Sequence, residues 1–309
     1  MYPFRSLLFS LTFVFTSVLH SQSLPSFELN PDWMAKIETM VQGQEKIPTK
    51  VRKKVLIFSL HTGFNHWIIP HSEAVMKIIA QNTADFEVIL SKDIAVFEKK
   101  QLSNFDVVIL NNNCSDRDRR DLFWDVLNGD ASLSEKDKTK KAQQLENNLI
   151  QFVQKGKGLM ILHGGIVMQN NSMAFGDMSG GSFDFHPPQQ EIHVKLVDPN
   201  HPMVAGFDPE GFVHYDEPYF FKNAYFKYDF RPLLYMDLDQ IKMKQERPKD
   251  KIKYISWIKR FGKGRVFYSS PSHNAQSYEN PKLLQFLTRG LLYTAGLMPC
   301  EDSPIGINH

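Results

Sequence analysis

Three apolar runs that are typical of buried strands each lead into histidine. The runs cover residues 55–60, 158–162 and 264–270, and the histidines that follow them are His61, His66, His163 and His273. Histidine is the side chain best suited to proton transfer near neutral pH and to binding borderline metals. Because ligands of an open α/β sheet bind at the carboxyl ends of the strands, these imidazoles are predicted to form a site at one edge of the sheet.

His163 occupies the sharp strand-to-helix position at which α/β hydrolases and amidotransferases place a nucleophile. With Gly164 and Gly165 behind it, the ring is better suited to bind a metal or transfer a proton than to form a stable covalent bond. The alternative is a histidine whose ring pairs with a backbone carbonyl. Near the first strand, His66 is favoured over His61, because it precedes a helix whose N-terminus would point into the crevice.

Further candidates lie in the second half of the chain. His186 stands in a loop shaped by glycine and proline, and Asp216 and Glu217 lie beside Tyr219. Glu217 could complete a metal shell or act as a general base. The alternative for this acidic pair is a surface position on an edge strand. His71 is expected to pack or to cap a helix.

Several motifs are missing from the sequence. It contains no His-Glu-x-x-His, no Gly-x-Gly-x-x-Gly after the first strand, no Walker A motif and no Gly-x-Ser-x-Gly. Neither a nucleotide nor a flavin cofactor is therefore expected. The two cysteines, Cys114 and Cys300, provide no disulfide framework, although the sequence leaves open whether they pair. No base accompanies Cys114, so a thiol nucleophile is not predicted.

Composition and the first residues bound the class of protein. A net charge of +2 gives no electrostatic case for binding nucleic acid, and 42% hydrophobic residues fit a soluble globular domain. Arg5 and the apolar stretch 7–19 predict a cleavable signal peptide over residues 1–21, hence export to a periplasm or the extracellular space, with no membrane attachment after cleavage. An uncleaved anchor is the alternative. Residues 22–52 are predicted to be an extension with a short helix between Asn30 and Gly43.

The elements that must position these residues alternate in type. Strands are predicted at 55–60, 86–90, 107–110 and 159–162, with helices at 70–81 and 143–154. This alternation is typical of a doubly wound parallel sheet. The second half is predicted to be richer in β-structure, with strands at 191–197, 233–236, 254–258 and 265–269 before a closing helix at 281–295. The charged segments 115–141 and 242–253 are interpreted as solvated excursions.

An ordered set of segments resembles the ThuA-like (trehalose utilisation) family of the class I glutamine amidotransferase-like superfamily. The segments are 63–66, 105–110, 156–163, 180–187, 201–202, 216–219 and 262–268 with His273. The resemblance implies a flavodoxin-like α/β domain over residues 53–297, followed by a tail at 298–309. It also implies His163 in place of the catalytic cysteine, a link to sugar catabolism and to 3-keto disaccharides, and a divalent metal in some members. Asn65 stands where the family usually has arginine, and Ser272 where it usually has glycine.

The resulting hypothesis is an exported enzyme that modifies a keto-disaccharide or glycoside by isomerisation, elimination or hydrolysis. A divalent metal, with zinc the expected ion, is predicted at His66, His163, His273 and Glu217. Three of these are also the predicted catalytic groups: His163, Glu217 and His66. Substrate contacts are predicted for His186, Tyr219, Asp216 and His61. The competing hypothesis is a non-catalytic carbohydrate-binding protein. The expected partner is a small carbohydrate, and a homodimer is left open. Cysteine-dependent amidotransferase activity is not expected, because it requires a thiolate at the position of His163.

Overall fold

Alternating hydrophobic segments build one large sheet covered by helices. The structure is a computed structural model that describes residues 24–43, 47, 52–246, 248 and 251–305. The predicted signal peptide lies outside the described residues. Seven helices are described: α1 Pro31–Gln42, α2 Ile69–Thr83, α3 Lys99–Leu102, α4 Leu122–Asn128, α5 Glu135–Gln154, α6 Met173–Ser179 and α7 Pro281–Thr294. No helix of the described part is both long enough and apolar enough to span a membrane.

Nine strands form the main sheet in the order β2-β1-β3-β4-β11-β10-β9-β6-β7. Its strands are β1 Lys53–Phe58, β2 Phe86–Ser91, β3 Val107–Asn111, β4 Gly158–Leu162, β6 Gln190–Leu196, β7 Phe212–Asp216, β9 Arg231–Asp237, β10 Ile252–Phe261 and β11 Gly264–Ser269. The first five strands in this order are parallel, and every pairing from β11 to β7 is antiparallel. A second, two-stranded sheet pairs β5 Ser182–Phe183 with β8 Phe221–Lys222. The predicted flavodoxin-like α/β class with a β-rich C-terminal half is confirmed.

The two faces of the sheet carry separate hydrophobic cores. Side chains alternate along β1, so that Val55 and Ile57 join the core under α1, α2 and α7, whereas Leu56 and Phe58 join the core under α5. Burial on both faces explains why the parallel strands are apolar at consecutive positions. Helices on both sides therefore make the sheet a rigid support for groups at its edges.

Local signals fix the ends of the helices. The side chain of Asn30 accepts a hydrogen bond from the backbone N–H of Trp33, and Pro31 opens α1 as the sequence predicts. The charged segment after β3 differs from its prediction, because it contains α4 and the first turns of α5. The Ser134 side chain accepts from the backbone N–H of Asp137 and starts α5 eight residues before the predicted position at 143.

Candidate metal centre and its cavity

Four buried side chains meet at the carboxyl ends of the strands. One donor atom from each of His66, His163, Glu217 and His273 lies within 4.8 Å of the others. His66 lies in the loop between β1 and α2, and His163 directly follows β4. Glu217 and His273 follow β7 and β11, respectively. The convergence expected for three strand-end histidines is therefore present, and Glu217 joins it from the antiparallel half of the sheet.

The backbone at His163 is strained in a way that suits a functional turn. Its φ of 43° lies in the left-handed region, which a residue with a side chain adopts at an energetic cost. Gly164 and Gly165 follow because the turn is crowded. A Cβ on Gly164 would lie 2.8 Å from the Cys114 sulfur, and one on Gly165 would lie 2.7 Å from the Leu110 carbonyl oxygen. The predicted strand-to-helix position of His163 is thus a tight turn that only glycine can continue.

Hydrogen bonding orients the His163 ring toward the cluster. Its Nδ1 lies 2.8 Å from the carbonyl oxygen of Ser270, which can only accept, so Nδ1 carries the proton. Nε2 faces the cluster, 3.3 Å from Oε2 of Glu217 and 3.1 Å from Nδ1 of His273. The pairing with a backbone carbonyl and the role in a site were alternatives for this residue in the sequence. In the structure both are present, because Nδ1 pairs with the carbonyl and Nε2 faces the cluster.

The donor set fits a divalent metal ion. Three imidazoles and a carboxylate are ligands that zinc prefers, and a ligating histidine commonly donates its other N–H to a carbonyl, as His163 does. Nδ1 of His66 is buried without a hydrogen-bond partner. Buried polar atoms are normally satisfied, so this ring of the cluster lacks a partner that the described residues do not supply. The cluster could therefore hold a metal.

Electrostatics favour the metal-binding protonation states of two members. Burial alone would raise the pKa of Glu217, but hydrogen bonds with His163 and His273 hold that pKa far below its usual range. Burial lowers the pKa of His66, and the neighbouring His163 and His273 lower it further. Glu217 is therefore ionised and His66 neutral. For His273, burial lowers the pKa, but Glu217 outweighs this effect and the net shift is upward.

Asp216 lies behind the cluster and ties two of its loops together. Its Oδ2 accepts the backbone N–H groups of Ser272 at 2.8 Å and His273 at 3.1 Å, and also contacts Nε2 of His214. Its Oδ1 accepts the backbone N–H of Glu217 at 2.7 Å. Asp216 is 1% exposed and does not line the cavity described below, so its position is that of a support and not of the substrate contact that the sequence suggested.

Ser272, the residue before the last histidine, has a backbone conformation that favours glycine. Its φ is 135°, and its side chain is fully buried. The resemblance noted in the sequence places glycine at this point. The turn therefore keeps a glycine-like geometry although the side chain has changed, and the two hydrogen bonds to Asp216 hold it there.

A cavity of about 170 Å³ opens onto the cluster. The residues that line it are Phe64, His66, Cys114, Arg117, Arg120, Val167, Phe183, His186, Glu217 and Tyr219. The volume is small beside the ~300–1,000 Å³ of typical ligand pockets, so the cavity suits one end of a ligand. Both His186 and Tyr219, predicted substrate contacts, lie in its wall.

His186 and Tyr219 form part of a stack of rings. The ring centroid of Tyr219 lies 4.2 Å from that of His163 and 5.6 Å from that of His186. Nδ1 of His186 lies 2.9 Å from the Pro187 carbonyl oxygen and therefore donates a hydrogen bond to it. That Nε2 is 3.7 Å from Oε2 of Glu217. His186 is thus placed beside the cluster without belonging to it.

The remaining predicted histidines lie elsewhere. His61 is half-buried and does not line the cavity, so the structure does not bring it to the site as a substrate contact. His71 packs among the rings of Phe27, Trp33 and Trp67, in agreement with the packing role expected for it. His66 is the member of this group that reaches the cluster, as favoured from the sequence.

Of the side chains in the cavity wall that carry a polar or ionisable group, sequence reasoning missed three. Arg117 and Arg120 belong to the charged segment that was interpreted as solvated, although the segment directly follows the carboxyl end of β3. That position was the available signal. Cys114 also lines the cavity, but burial raises the pKa of its thiol to about 12 and its sulfur lies near the carbonyl oxygen of Gly164. Among the described residues no base is hydrogen-bonded to its sulfur, and both Cys114 and Cys300 are free thiols.

Comparison with known proteins supports the resemblance seen in the sequence. A family model described as ThuA, trehalose utilisation, matches residues 54–294. Two solved ThuA-like proteins share the fold. The protein from Bacteroides uniformis is 15% identical, with a TM-score of 0.59 over 82% of this chain and 95% of that one. The protein from Parabacteroides merdae is 16% identical, with a TM-score of 0.50 over 82% and 98%. Comparison with curated proteins gives no match. The chain belongs to the ThuA family, whose description suggests a carbohydrate-related role.

Proposed function

We propose that the protein is an exported enzyme of carbohydrate catabolism that acts on keto-disaccharides or related glycosides with the help of a divalent metal, zinc being the expected ion. The observation that carries this proposal is the buried cluster of four donor atoms within 4.8 Å, open to a cavity of about 170 Å³. The family description supports a carbohydrate as the substrate, and the size of the cavity supports a small one. Export rests on the sequence of residues 1–21 alone.

The metal would be held by His66, His163, His273 and Glu217, and when bound it would supply Lewis-acid polarisation of a carbonyl or hydroxyl oxygen. The chain supplies the proton transfer. In the neutral ring, with Nδ1 donating to the Pro187 carbonyl, Nε2 of His186 has the lone pair, and it lies 3.7 Å from the Glu217 carboxylate. It is therefore placed to take a proton from a sugar carbon or hydroxyl and to return it, as isomerisation or elimination requires.

The aromatic wall would orient the sugar ring. Phe183 and Tyr219 lie side by side in the cavity, with ring centroids 4.7 Å apart. Apolar ring faces pack against the C–H groups of a sugar while polar groups select its hydroxyls. The same wall favours the second candidate, a non-catalytic carbohydrate-binding protein, in which the aromatic rings would hold the sugar without converting it.

Elemental mass spectrometry on the untagged mature protein, purified without added metal, tests the centre. We expect about one equivalent of zinc or manganese, strongly reduced in His163→Ala. The matched control is His71→Gln, which changes another fully buried histidine outside the cluster and should retain the metal. Folded protein that contains no metal and cannot be loaded with it would contradict the metal centre.

Turnover of 3-keto-disaccharides then separates the enzyme from the binding protein. We expect the wild type to be active, a chelator to abolish this activity and added zinc to restore it. Both His163→Ala and His186→Gln should be inactive, although His186→Gln should keep its metal. Full turnover by His163→Ala would refute the catalytic role. Sugar binding without product, indifferent to chelator and to His163→Ala, would establish the non-catalytic alternative.

A further inference from the structure

The charged segment after β3 contributes two cations to the cavity. Arg117 and Arg120 line it together with the aromatic residues and Glu217. A position in the cavity wall differs from the solvated position that the sequence predicts for these arginines. The candidate metal centre does not use them as ligands.

Hydrogen bonds build this segment into a defined loop. The Ser115 hydroxyl donates to the Val167 carbonyl at 2.7 Å, and the backbone N–H of Asp116 donates to Asp125 at 2.9 Å. The backbone N–H of Arg120 donates to the Asp116 carbonyl at 2.9 Å, and its Nη1 donates to the Ser115 carbonyl at 3.3 Å. Arg120 has a φ of 58°, a conformation that persists only when its surroundings impose it.

Neither guanidinium in the cavity wall has a carboxylate partner among the described residues. The neighbouring Arg119 contrasts with them. Its guanidinium lies 3.8 Å from the centroid of the Trp124 ring and donates to the Thr139 hydroxyl at 3.4 Å. Arg119 is therefore occupied by contacts outside the cavity, whereas Arg117 and Arg120 keep donors available.

The charge balance of the wall favours an anion. Of the described residues that line the cavity, Glu217 alone has a carboxylate, and its Oε2 already contacts His163 at 3.3 Å and His273 at 3.2 Å. Two arginines against one engaged carboxylate leave a net positive wall. Guanidinium groups bind carboxylate and phosphate oxygens through paired, charge-assisted hydrogen bonds, which are the stronger class.

We infer that the cavity takes a carbohydrate that carries an anionic group, a carboxylate or a phosphate, bound by Arg117 and Arg120 while the sugar lies toward the cluster. The inference rests on the proposed function for the sugar itself. It narrows the substrate to sugar acids or sugar phosphates, two sources of the same anionic chemistry.

Isothermal titration calorimetry on zinc-loaded mature protein tests the inference, with glucose, glucuronate and glucose 6-phosphate as probes. We expect at least one anionic probe to bind roughly tenfold tighter than glucose, the effect of one charge-assisted hydrogen bond, and the tighter of the two identifies the group. Arg117→Gln/Arg120→Gln should reduce the preference to about twofold. Arg119→Gln is the matched control and should keep it. Arg117→Gln alone, at an exposed position, should weaken the preference without affecting folding.

Three results would overturn the inference: equal affinities for the three probes, no binding of any probe, or a preference that survives in the double variant. If the anion preference survives in the double variant but disappears when a chelator is added, the anion binds to the metal and not to the arginines. Zinc content and keto-disaccharide turnover are measured on the same samples. Normal zinc content and normal turnover without an anion preference would refute the anion site but not the proposed function. An arginine-dependent preference in protein that binds no metal would refute the proposed metal-assisted function and leave the anion site standing.

Discussion

Replacing Asp216 by asparagine tests how the metal centre is held together. The carboxylate accepts the backbone N–H groups of Ser272, His273 and Glu217 and contacts the His214 ring. An amide of the same shape retains one acceptor oxygen and replaces the other with a donor. If the oxygen occupies the Oδ2 position, the N–H of Glu217 loses its acceptor. In the opposite orientation the other three donors lose theirs, so the first orientation is expected.

The magnitude follows from the hydrogen bonds at stake. A hydrogen bond to a charged group contributes roughly 1.5–3 kcal/mol, and Asp216→Asn loses at least one while weakening the others by removing their charge. We expect the metal-free protein to lose about 2–4 kcal/mol of its free energy of unfolding. Because Asp216 positions the segments that carry Glu217 and His273, we also expect zinc affinity to fall about tenfold to hundredfold.

Urea denaturation at pH 7 measures the first effect, and competition with a chromogenic chelator measures the second. Leu291→Ala is the control, since Leu291 is fully buried in α7 and its truncation should cost about 2–5 kcal/mol without changing zinc affinity. A folded Asp216→Asn protein with zinc affinity within about twofold of the wild type would refute the reasoning that Asp216 positions the ligands.

Three other predictions concern single residues. The Cys114 thiol, with a pKa of about 12, should resist iodoacetamide at pH 8 in the folded protein and react in urea, as followed by mass spectrometry; rapid alkylation when folded would contradict its burial. Ser272→Gly should relieve about 1–3 kcal/mol of backbone strain at a φ of 135°, of which the flexibility of glycine cancels about 0.5–1 kcal/mol. The melting temperature should therefore rise; a lower melting temperature would show that losing the buried hydroxyl costs more than the relief of strain contributes. Burial alone would raise the pKa of Asp106, but the N–H of Lys54 and the ammonium of Lys157 lower it, so its contribution to stability is present at neutral pH and lost in acid. Asp106→Asn should therefore be less stable than the wild type at pH 7, and the two urea midpoints should converge below about pH 4; a constant difference would exclude this linkage.

The histidines that follow parallel strands could be predicted from the sequence, because a local apolar pattern and one general rule about sheet edges are sufficient to place them. Apolar runs identify β1, β4 and β11, and the carboxyl ends of parallel strands share an edge. Glu217 was harder to place. It follows β7, a strand of five residues that the sequence analysis did not assign and whose pairing with β6 is specified only by the folded sheet. The surface edge-strand alternative was correct about the edge but not about burial, since Asp216 and Glu217 are both buried.

The charged segment shows a different limit. Ser134 and Asp137 carry the spacing of a helix N-cap, so the early start of α5 could have been recognised from the sequence. The position of Arg117 and Arg120 in the cavity wall could not, because it depends on hydrogen bonds to Val167 and Asp125, which belong to other segments. Charge density identifies an exposed segment but does not indicate which of its side chains border a cavity.

The four donors of the metal centre are far apart along the chain, from His66 in the first loop to His273 after the last strand. The ring of His163 and the carboxylate of Glu217 come from positions 54 residues apart, and the other contacts span longer separations. Contacts of this kind form late, after the costly closure of long loops. The cluster therefore cannot nucleate folding, and a metal that it holds would not be bound by the growing chain. A metal held by these residues would therefore be acquired after the sheet is complete.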